Sequence, residues 1–544
     1  MAGSGFDDIG ATGACSHTED PDAIVPTTSR QCWNAGAGRE FAIRNRVEEG
    51  GTHAQMTRME QGRHSKNAVH AFQFVANRRP SAPTKRKSDA AILFTMCLGV
   101  FLAQLDSTVV YLGVKNIGRD LDVGISQMQW VLDSYNLAYA TFLLTGGTLG
   151  DLYGRARIYL VGIGLIVVGS LVCTLAPNGA VLIAARAVTG LGAALEVPTS
   201  LAILAVTYPD AAERGRAIGI WASCNGLAIA TGPTVGGLLV DVAGWRSIFF
   251  LSVPVGLLAI AMTKQCVPES RDPEGRRLDP VGQTLAILAL ASLAFVTIEG
   301  PHWGWTTPPV IALGAVSIAA AIWFLLVERG KPDALLPLGL FGNSPFNAAL
   351  AIAGMMTFGM YAMMFLMPLY LQSVRGYSAF LAGLFLVPMS LAFVIVSQFS
   401  GGLTKRVGAR LMMVGGMGLM GTGLLLLAAI SANTSIWAIE AVLIVIGVGL
   451  GLNTGPVNAV AVASVAAGRF GTASGLLNTT RMVGATLGIA VLGAVFAVHA
   501  GTGTTEGIIS GLRLAYLGGG VVELAGALLA FVFIRADSAE QTAR

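Results

Sequence analysis

Hydrophobic residues make up 53% of the 544-residue chain and charged residues only 12%, with a formal net charge of +4. A soluble domain carries about twice that charged fraction, and so small a net charge offers no basic surface to a nucleic-acid partner. The six cysteines (Cys15, Cys32, Cys97, Cys173, Cys224 and Cys266) show no CxxC or zinc-type spacing, so they indicate neither a disulfide framework nor a metal site.

Residues 1–88 are rich in Gly, Ala, Asn and charge and lack helical or strand periodicity. No apolar core follows a basic start, so this is no secretory signal; it reads as a disordered cytoplasmic leader. Translation from Met56 or Met59 would remove most of it, which intact-mass measurement on the native protein would reveal. Apolar blocks then follow, each long enough to cross a bilayer, which takes roughly 20 residues. Fourteen are expected, near 90–112, 128–149, 157–176, 180–207, 215–240, 246–263, 279–299, 307–328, 345–371, 379–402, 408–430, 436–463, 470–498 and 511–535. Short loops with Gly, Pro, Asp or Arg separate them.

Lys and Arg are retained on the cytoplasmic side of a membrane, and they alternate here. Arg78, Arg79, Lys85, Arg86 and Lys87 precede the first block, and the even-numbered connections carry Arg155 and Arg157, Arg214 and Arg216, Lys264, Arg271, Arg276 and Arg277, then Lys405, Arg406 and Arg410. Both termini are therefore expected inside. The halves also repeat each other: GGTLGDLYGRAR (Gly146–Arg157) is echoed by SGGLTKRVGAR (Ser400–Arg410), Gly219 by Gly475, Gly232 by Gly488 and Pro198 by Pro456, at offsets near 254–258 residues. That spacing fits two six-helix bundles, 89–263 and 345–535, with two linking helices and loops at 264–344 and a tail at 536–544. Twofold repetition of this kind is common in alternating-access transporters.

Three motifs carry a family resemblance. The string GGTLGDLYGRARIY, with Gly147, Asp151, Gly154, Arg155 and Arg157, resembles the loop signature between the second and third helices of the major facilitator superfamily. Leu152 and Ala156 stand where basic residues are common. The resemblance implies a loop that latches an outward-facing state. GLAIATGPTVGG, with Gly226, Gly232, Pro233, Gly236 and Gly237, resembles the family's antiporter signature, which implies export; its glycines admit close helix contact. RAVTGLGAALEVP (Arg186–Pro198) resembles a third family motif, in which Arg186 controls a nearby carboxylate; snorkelling from a helix end is the alternative. With LDSTVV closing the first helix, QWVLDSYNLAYA opening the second and GTASGLLNTTRMVGATLG in the thirteenth, the whole is similar to fourteen-helix drug:proton antiporters over about residues 90–535. Tyr111 and Lys115 depart from it, since the family places Asn and Pro there, and Glu196 stands where an apolar residue is usual.

Proton coupling needs a carboxylate that burial and cations can tune. Asp106 and Asp133 are the expected coupling or cation-recognition sites by resemblance, and Glu196 is a candidate from this sequence alone, ten residues and nearly three turns beyond Arg186. Capping near the outer helix ends is the competing reading for both aspartates. Glu440, Glu523 and Arg481 are weaker candidates, and the methionines of the ninth block (Met355, Met356, Met360, Met363, Met364 and Met367) line either a promiscuous pocket or the lipid face. No GxxxxGK[ST] loop and no clustered catalytic or metal-binding histidines occur.

The expectation is thus an all-α membrane protein of major facilitator fold, not an enzyme, with no cofactor. It would be a plasma-membrane monomer exporting small hydrophobic or cationic compounds against protons, with only the lipid bilayer as its surroundings. An exporter dedicated to one metabolite or antibiotic is the nearest alternative, and a non-transporting sensor the more distant one.

Overall fold

A computed structural model of the chain describes residues 85–272, 278–329, 331, 336, 338–465, 470–500 and 504–534. The expected leader (apart from its last residues) and C-terminal tail lie outside them. The described residues form helices and connecting loops, with no strand among them.

In chain order the long helices are α1 (Lys85–Asp120), α2 (Ile125–Tyr153), α3 (Arg155–Thr174), α4 (Gly179–Thr207), α5 (Ala211–Ala243) and α6, which runs as Arg246–Phe250 and Ser252–Cys266. Two more follow, α7 (Pro280–Trp303) and α8 (Pro308–Glu328). The remainder are α9 (Ser344–Ser373), α10 (Ala379–Leu384 and Val387–Val407), α11 (Ala409–Leu427), α12 (Ile436–Ala463), α13 (Phe470–Ala500) and α14 (Thr505–Phe533). Side chains start several of them: Asn178 accepts from Val181 N at 3.0 Å, Asp210 from Glu213 N at 2.9 Å and Asp279 from Gly282 N at 2.9 Å. Such caps satisfy amides that a helix leaves open.

Thirteen helices among the described residues are long and apolar enough to cross a membrane. The chain is a multi-pass membrane protein. The one long helix outside that set is α2, and the reason is physical. It packs on α4 and α13 and is flanked by α7, so little of it needs to meet lipid and it can carry buried Gln129, Asp133, Ser134 and Asn136. By contrast α8, which packs on α7, leaves Ile311, Ile318, Ile322, Trp323 and Leu326 exposed, a surface suited to acyl chains.

Helices α1–α6 pack among themselves, as do α9–α14, and the two groups meet through α2 with α13, α5 with α10 and α1 with α9. The repeat reappears as backbone geometry. Gly154 joins α2 to α3 at φ 112°, and its echo Gly408 joins α10 to α11 at φ 92°, both in a region that side chains rarely enter. A Cβ on Gly162 of α3 would lie 2.7 Å from Gly192 O of α4, and one on Gly416 of α11 would lie 2.8 Å from Gly449 O of α12.

The two groups touch most closely at the end opposite the α2–α3 loop. There Gln129 donates to Ile489 O at 2.8 Å, Lys115 to Gln372 O at 2.7 Å and Gln372 to Leu112 O at 3.1 Å. At the end carrying the basic loops they part: Gly215 and Gly219 of α5 and Gly401 and Gly402 of α10 have nothing within 4 Å of a would-be Cβ. The first helix also continues to Asp120, well past the LDSTVV stretch expected to close it. Asp120 then accepts from Trp245 at 2.8 Å and pairs with Arg246 at 2.5 Å, which holds its carboxyl below the ordinary aspartate value.

Candidate functional site

The structure brings Asp106 and Arg186 together. Arg186 Nη1 lies 2.6 Å from Asp106 Oδ2, and both residues are about 1% exposed. The arginine is not snorkelling; it sits in the interior of α4. Its Nε donates to Val131 O at 3.2 Å and its guanidinium carbon stands 4.5 Å from the centre of the Tyr135 ring. The other carboxylate oxygen of Asp106 accepts from Ser252 at 3.3 Å and Ser170 at 3.4 Å. Five helices, α1, α2, α3, α4 and α6, therefore converge on one ion pair. In an interior this apolar, a charge is retained only when paired and hydrogen-bonded. Asp106 is neither a cap nor a helix-end residue.

Asp133 and Glu196 are placed differently. Both are fully buried, and none of their carboxylate oxygens has a hydrogen-bond partner among the described residues. Asp133 lies beside Asn136 and the Tyr111 hydroxyl, which itself lacks a partner. Glu196 projects toward α1 and α3: a Cβ on Gly99 would fall 2.6 Å from its Oε1, and Tyr159 is adjacent. The repeat explains the room it occupies. Glu196 and Asn453 hold matching positions against Gly162 and Gly416, but Asn453 contacts Met356 Sδ and Met417 Sδ, at 3.2 and 3.1 Å. On the Glu196 side α1 offers Gly99, and the longer acid fits.

The α2–α3 loop is tied to its own half. Asp151 accepts from Arg155 Nε and Nη2 at 2.9 and 2.7 Å. Glu269, in the segment after α6, accepts from Ala156 N at 3.0 Å and Arg157 N at 3.2 Å and so caps α3. Arg155 N donates to Ser270 O at 2.8 Å and Asp272 N to Asp151 O at 2.9 Å. A Cβ on Gly154 would meet the Glu269 carboxyl at 2.7 Å, on a backbone that already disfavours one. Gly154→Ala is expected to free the segment after α6 and cost about 1–3 kcal/mol. Limited proteolysis near residues 267–272 should accelerate relative to wild type; equal rates would contradict this clasp.

Gly147 lies in looser contact, 3.6 Å from the Pro198 ring for a would-be Cβ. The glycines of the α5 motif make both kinds of contact expected of small residues. Gly232 packs on Thr108 and Gly236 on Val109 of α1, whereas Gly237 meets Ala379 O of α10. Reciprocally, Gly383 of α10 abuts the carbonyl of Pro233. Asp241 completes the joint, accepting from Ala379 N at 3.1 Å and Phe380 N at 2.9 Å at the start of α10. Gly226, nearer the parted end, has only Val394 within reach, at 3.9 Å.

Between the halves lie two adjoining cavities that share Gln104 and Tyr361. The first is walled by Tyr135, Tyr139, Asn225 and Met482, the second by Met360, Met364, Met389 and Phe393. Tyr361 of α9 meets Tyr111 of α1 edge to face at 6.4 Å between ring centres. The methionines of α9 belong to the interior, not to the lipid face: Met356, Met363, Met364 and Met367 are all buried.

Residues 96–489 match the model of the Major Facilitator Superfamily. The chain belongs to that superfamily. It is 40% identical over 400 residues to the multidrug resistance protein Stp of Mycobacterium tuberculosis (strain CDC 1551 / Oshkosh), covering 74% of each chain. It is 33% identical over 450 residues to the methylenomycin A resistance protein of Bacillus subtilis (strain 168), covering 82% of this chain and 95% of that one. Among solved structures it resembles a bacterial homologue of the human lysosomal transporter Spinster, inward-facing and unoccupied, with a TM-score of 0.62. At 16% identity, covering 82% of this chain and 97% of the other, that likeness speaks for the fold.

Tyr111 and Lys115 make contacts across the halves, with Tyr361 and Gln372. Glu269 and Asp241 are not among the candidates read from the sequence. Glu299 accepts from Trp130 Nε1 at 2.9 Å and, with Gln283 donating to Thr141 O at 3.0 Å, pins α7 along α2. Of Glu269 and Asp241, only Asp241 carried a sequence signal, since an acid at the mouth of an expected span suggests a helix-end partner.

Proposed function

We propose that this superfamily member is a transporter, not an enzyme, exporting amphipathic small molecules, drugs among them, from the cell in exchange for protons. It would sit in the plasma membrane with both termini and the basic loops in the cytoplasm, as the distribution of Lys and Arg suggests. The observation that carries this reading is the set of buried acids, Asp106 paired to Arg186 and Asp133 and Glu196 unpaired, in the half whose α1, α2 and α4 wall the cavity between the halves. The names of the relatives, multidrug resistance and methylenomycin A resistance, support export of foreign compounds.

The chemistry is simple. A buried carboxylate needs a proton or a partner. Protonating Asp106 would weaken its hold on Arg186 and loosen the junction of five helices; loading Asp133 or Glu196 would remove an unpaired charge from the core. Either event biases the packing of α1, α2 and α4, and hence which end of the cleft is open. The α2–α3 loop and the α5–α10 joint would serve as the gating elements at the two ends.

The test uses protein reconstituted in liposomes with an imposed pH gradient and a fluorescent amphipathic dye. Wild type should move dye only while the gradient lasts. Asp106→Asn and Asp133→Asn should each lower the gradient-driven rate at least about tenfold, with Glu196→Gln intermediate. Undiminished gradient-driven transport in all three would remove these acids from the mechanism, and dye movement indifferent to the gradient would remove proton exchange.

A further inference from the structure

We infer that the cavity between the halves is built for amphipathic acids, with Arg481 of α13 gripping the anionic head. This rests on the transporter reading and narrows its substrate. The lining residues of both cavities include no carboxylate, and the buried acids of the N-terminal half are engaged or enclosed: Asp106 by Arg186, Asp133 and Glu196 within the bundle at 0% exposure. An organic cation entering this space meets no opposite charge on the wall.

A cation does stand behind that wall, although not in it. Arg481 precedes the lining residue Met482, and its guanidinium lies close enough to Tyr361, which lines both cavities, to interact with it electrostatically. The backbone places it firmly, because Arg481 O accepts from Thr357 of α9 at 2.6 Å. Its Nη1 makes one long hydrogen bond, to Asn478 Oδ1 at 3.4 Å, while Nε and Nη2 have no partner among the described residues. No carboxylate among the described residues forms an ion pair with it. An arginine inside a membrane without a counter-ion is costly and normally faces a functional partner.

The geometry of the free edge matters most. Nε and Nη2 form the side of the guanidinium fork that grips a carboxylate through two parallel hydrogen bonds. The same edge is in use elsewhere in the chain, where Arg155 Nε and Nη2 both donate to one oxygen, Asp151 Oδ1. At Arg481 that edge is buried and unpartnered, and a substrate carboxylate seated against it would supply the matching oxygens. Gln104 lines both cavities and offers a further polar contact, and Met360, Met364, Met389 and Phe393 provide an adaptable apolar wall for the body. The occupant is therefore a compound with one delocalised anionic head and an apolar body of modest size.

Binding should be measured on the purified full-length protein by calorimetry, using 4-phenylbutyrate, 4-phenylbutyramide and 4-phenylbutylamine, which share one body and differ in the head. The acid should bind roughly ten- to a hundredfold more tightly than the amide, and the amine most weakly, as hydrogen bonds to charged groups predict. Arg481→Gln should abolish the acid's advantage over the amide; Arg481→Lys should keep part of it. Equal binding of acid and amide by wild type, preferential binding of the amine, or no binding of any of the three would overturn the inference, and none of these comparisons requires a variant to fold. Transport of the acid in liposomes separates the two claims. Selective binding without gradient-driven transport would preserve the site and defeat the exporter reading, whereas transport of the amine without selective binding would do the reverse.

Discussion

Replacing Arg186 by methionine is expected to destabilise the protein by about 3–5 kcal/mol, the typical cost of leaving a buried charge without its partner. Nearly all of that arises from Asp106, which keeps only its two long serine contacts, 3.3 and 3.4 Å, when the guanidinium is gone. Combining Arg186→Met with Asp106→Asn should restore most of the stability, since an amide of the same shape can use Ser170 and Ser252 and carries no charge. Transport should not return with it. Thermal unfolding of the detergent-purified single and double variants decides the matter: a single variant as stable as wild type would mean that water reaches Asp106 and that the pair is not enclosed.

The second large effect is expected at the joint between α5 and α10. Gly383 lies against Pro233 O and Gly237 against Ala379 O, so the two backbones meet without intervening side chains. Gly383→Leu cannot be accommodated there without parting the helices. Overpacking of this kind costs about 1–3 kcal/mol, enough to move a balanced two-state equilibrium roughly 5- to 150-fold toward the conformer with this end open. Spin labels at Val242 and Leu381, both exposed near the joint, would report it by pulsed distance measurement. The variant should show a longer and broader distribution than wild type, together with impaired export. Superimposable distributions would show that the joint is passive filler.

Each result turns on something a reader of the chain sees only in part. The glycines of both signatures were visible, and the α5 motif suggested close helix contact. Which helix would be contacted was not visible, because a small-residue face accepts any neighbour. Arg186 and Asp106 both stand out in the sequence, yet their pairing, across 80 residues, depends on how α1 and α4 rotate about their axes. Glu269 shows the limit more plainly. It lies in a polar loop of ordinary composition, and its role as the cap of α3 exists only because the end of α6 returns beside the α2–α3 turn.

The sequence by itself determined the helical membrane class, the order of the spans, the alternation of basic loops and the twofold repeat. Those properties are written locally: hydropathy sets where a helix can meet lipid, and Gly154 and Gly408 mark the same positive-φ turn in both halves. Tertiary structure alone decided that Asp106 is paired while Asp133 and Glu196 are not, that one end of the cleft is sealed, and that Arg481 Nε and Nη2 are buried without a partner. Those depend on the rotation and tilt of packed helices, which arise from contacts between residues hundreds of positions apart, as between Gln129 and Ile489, and no one-dimensional pattern encodes them.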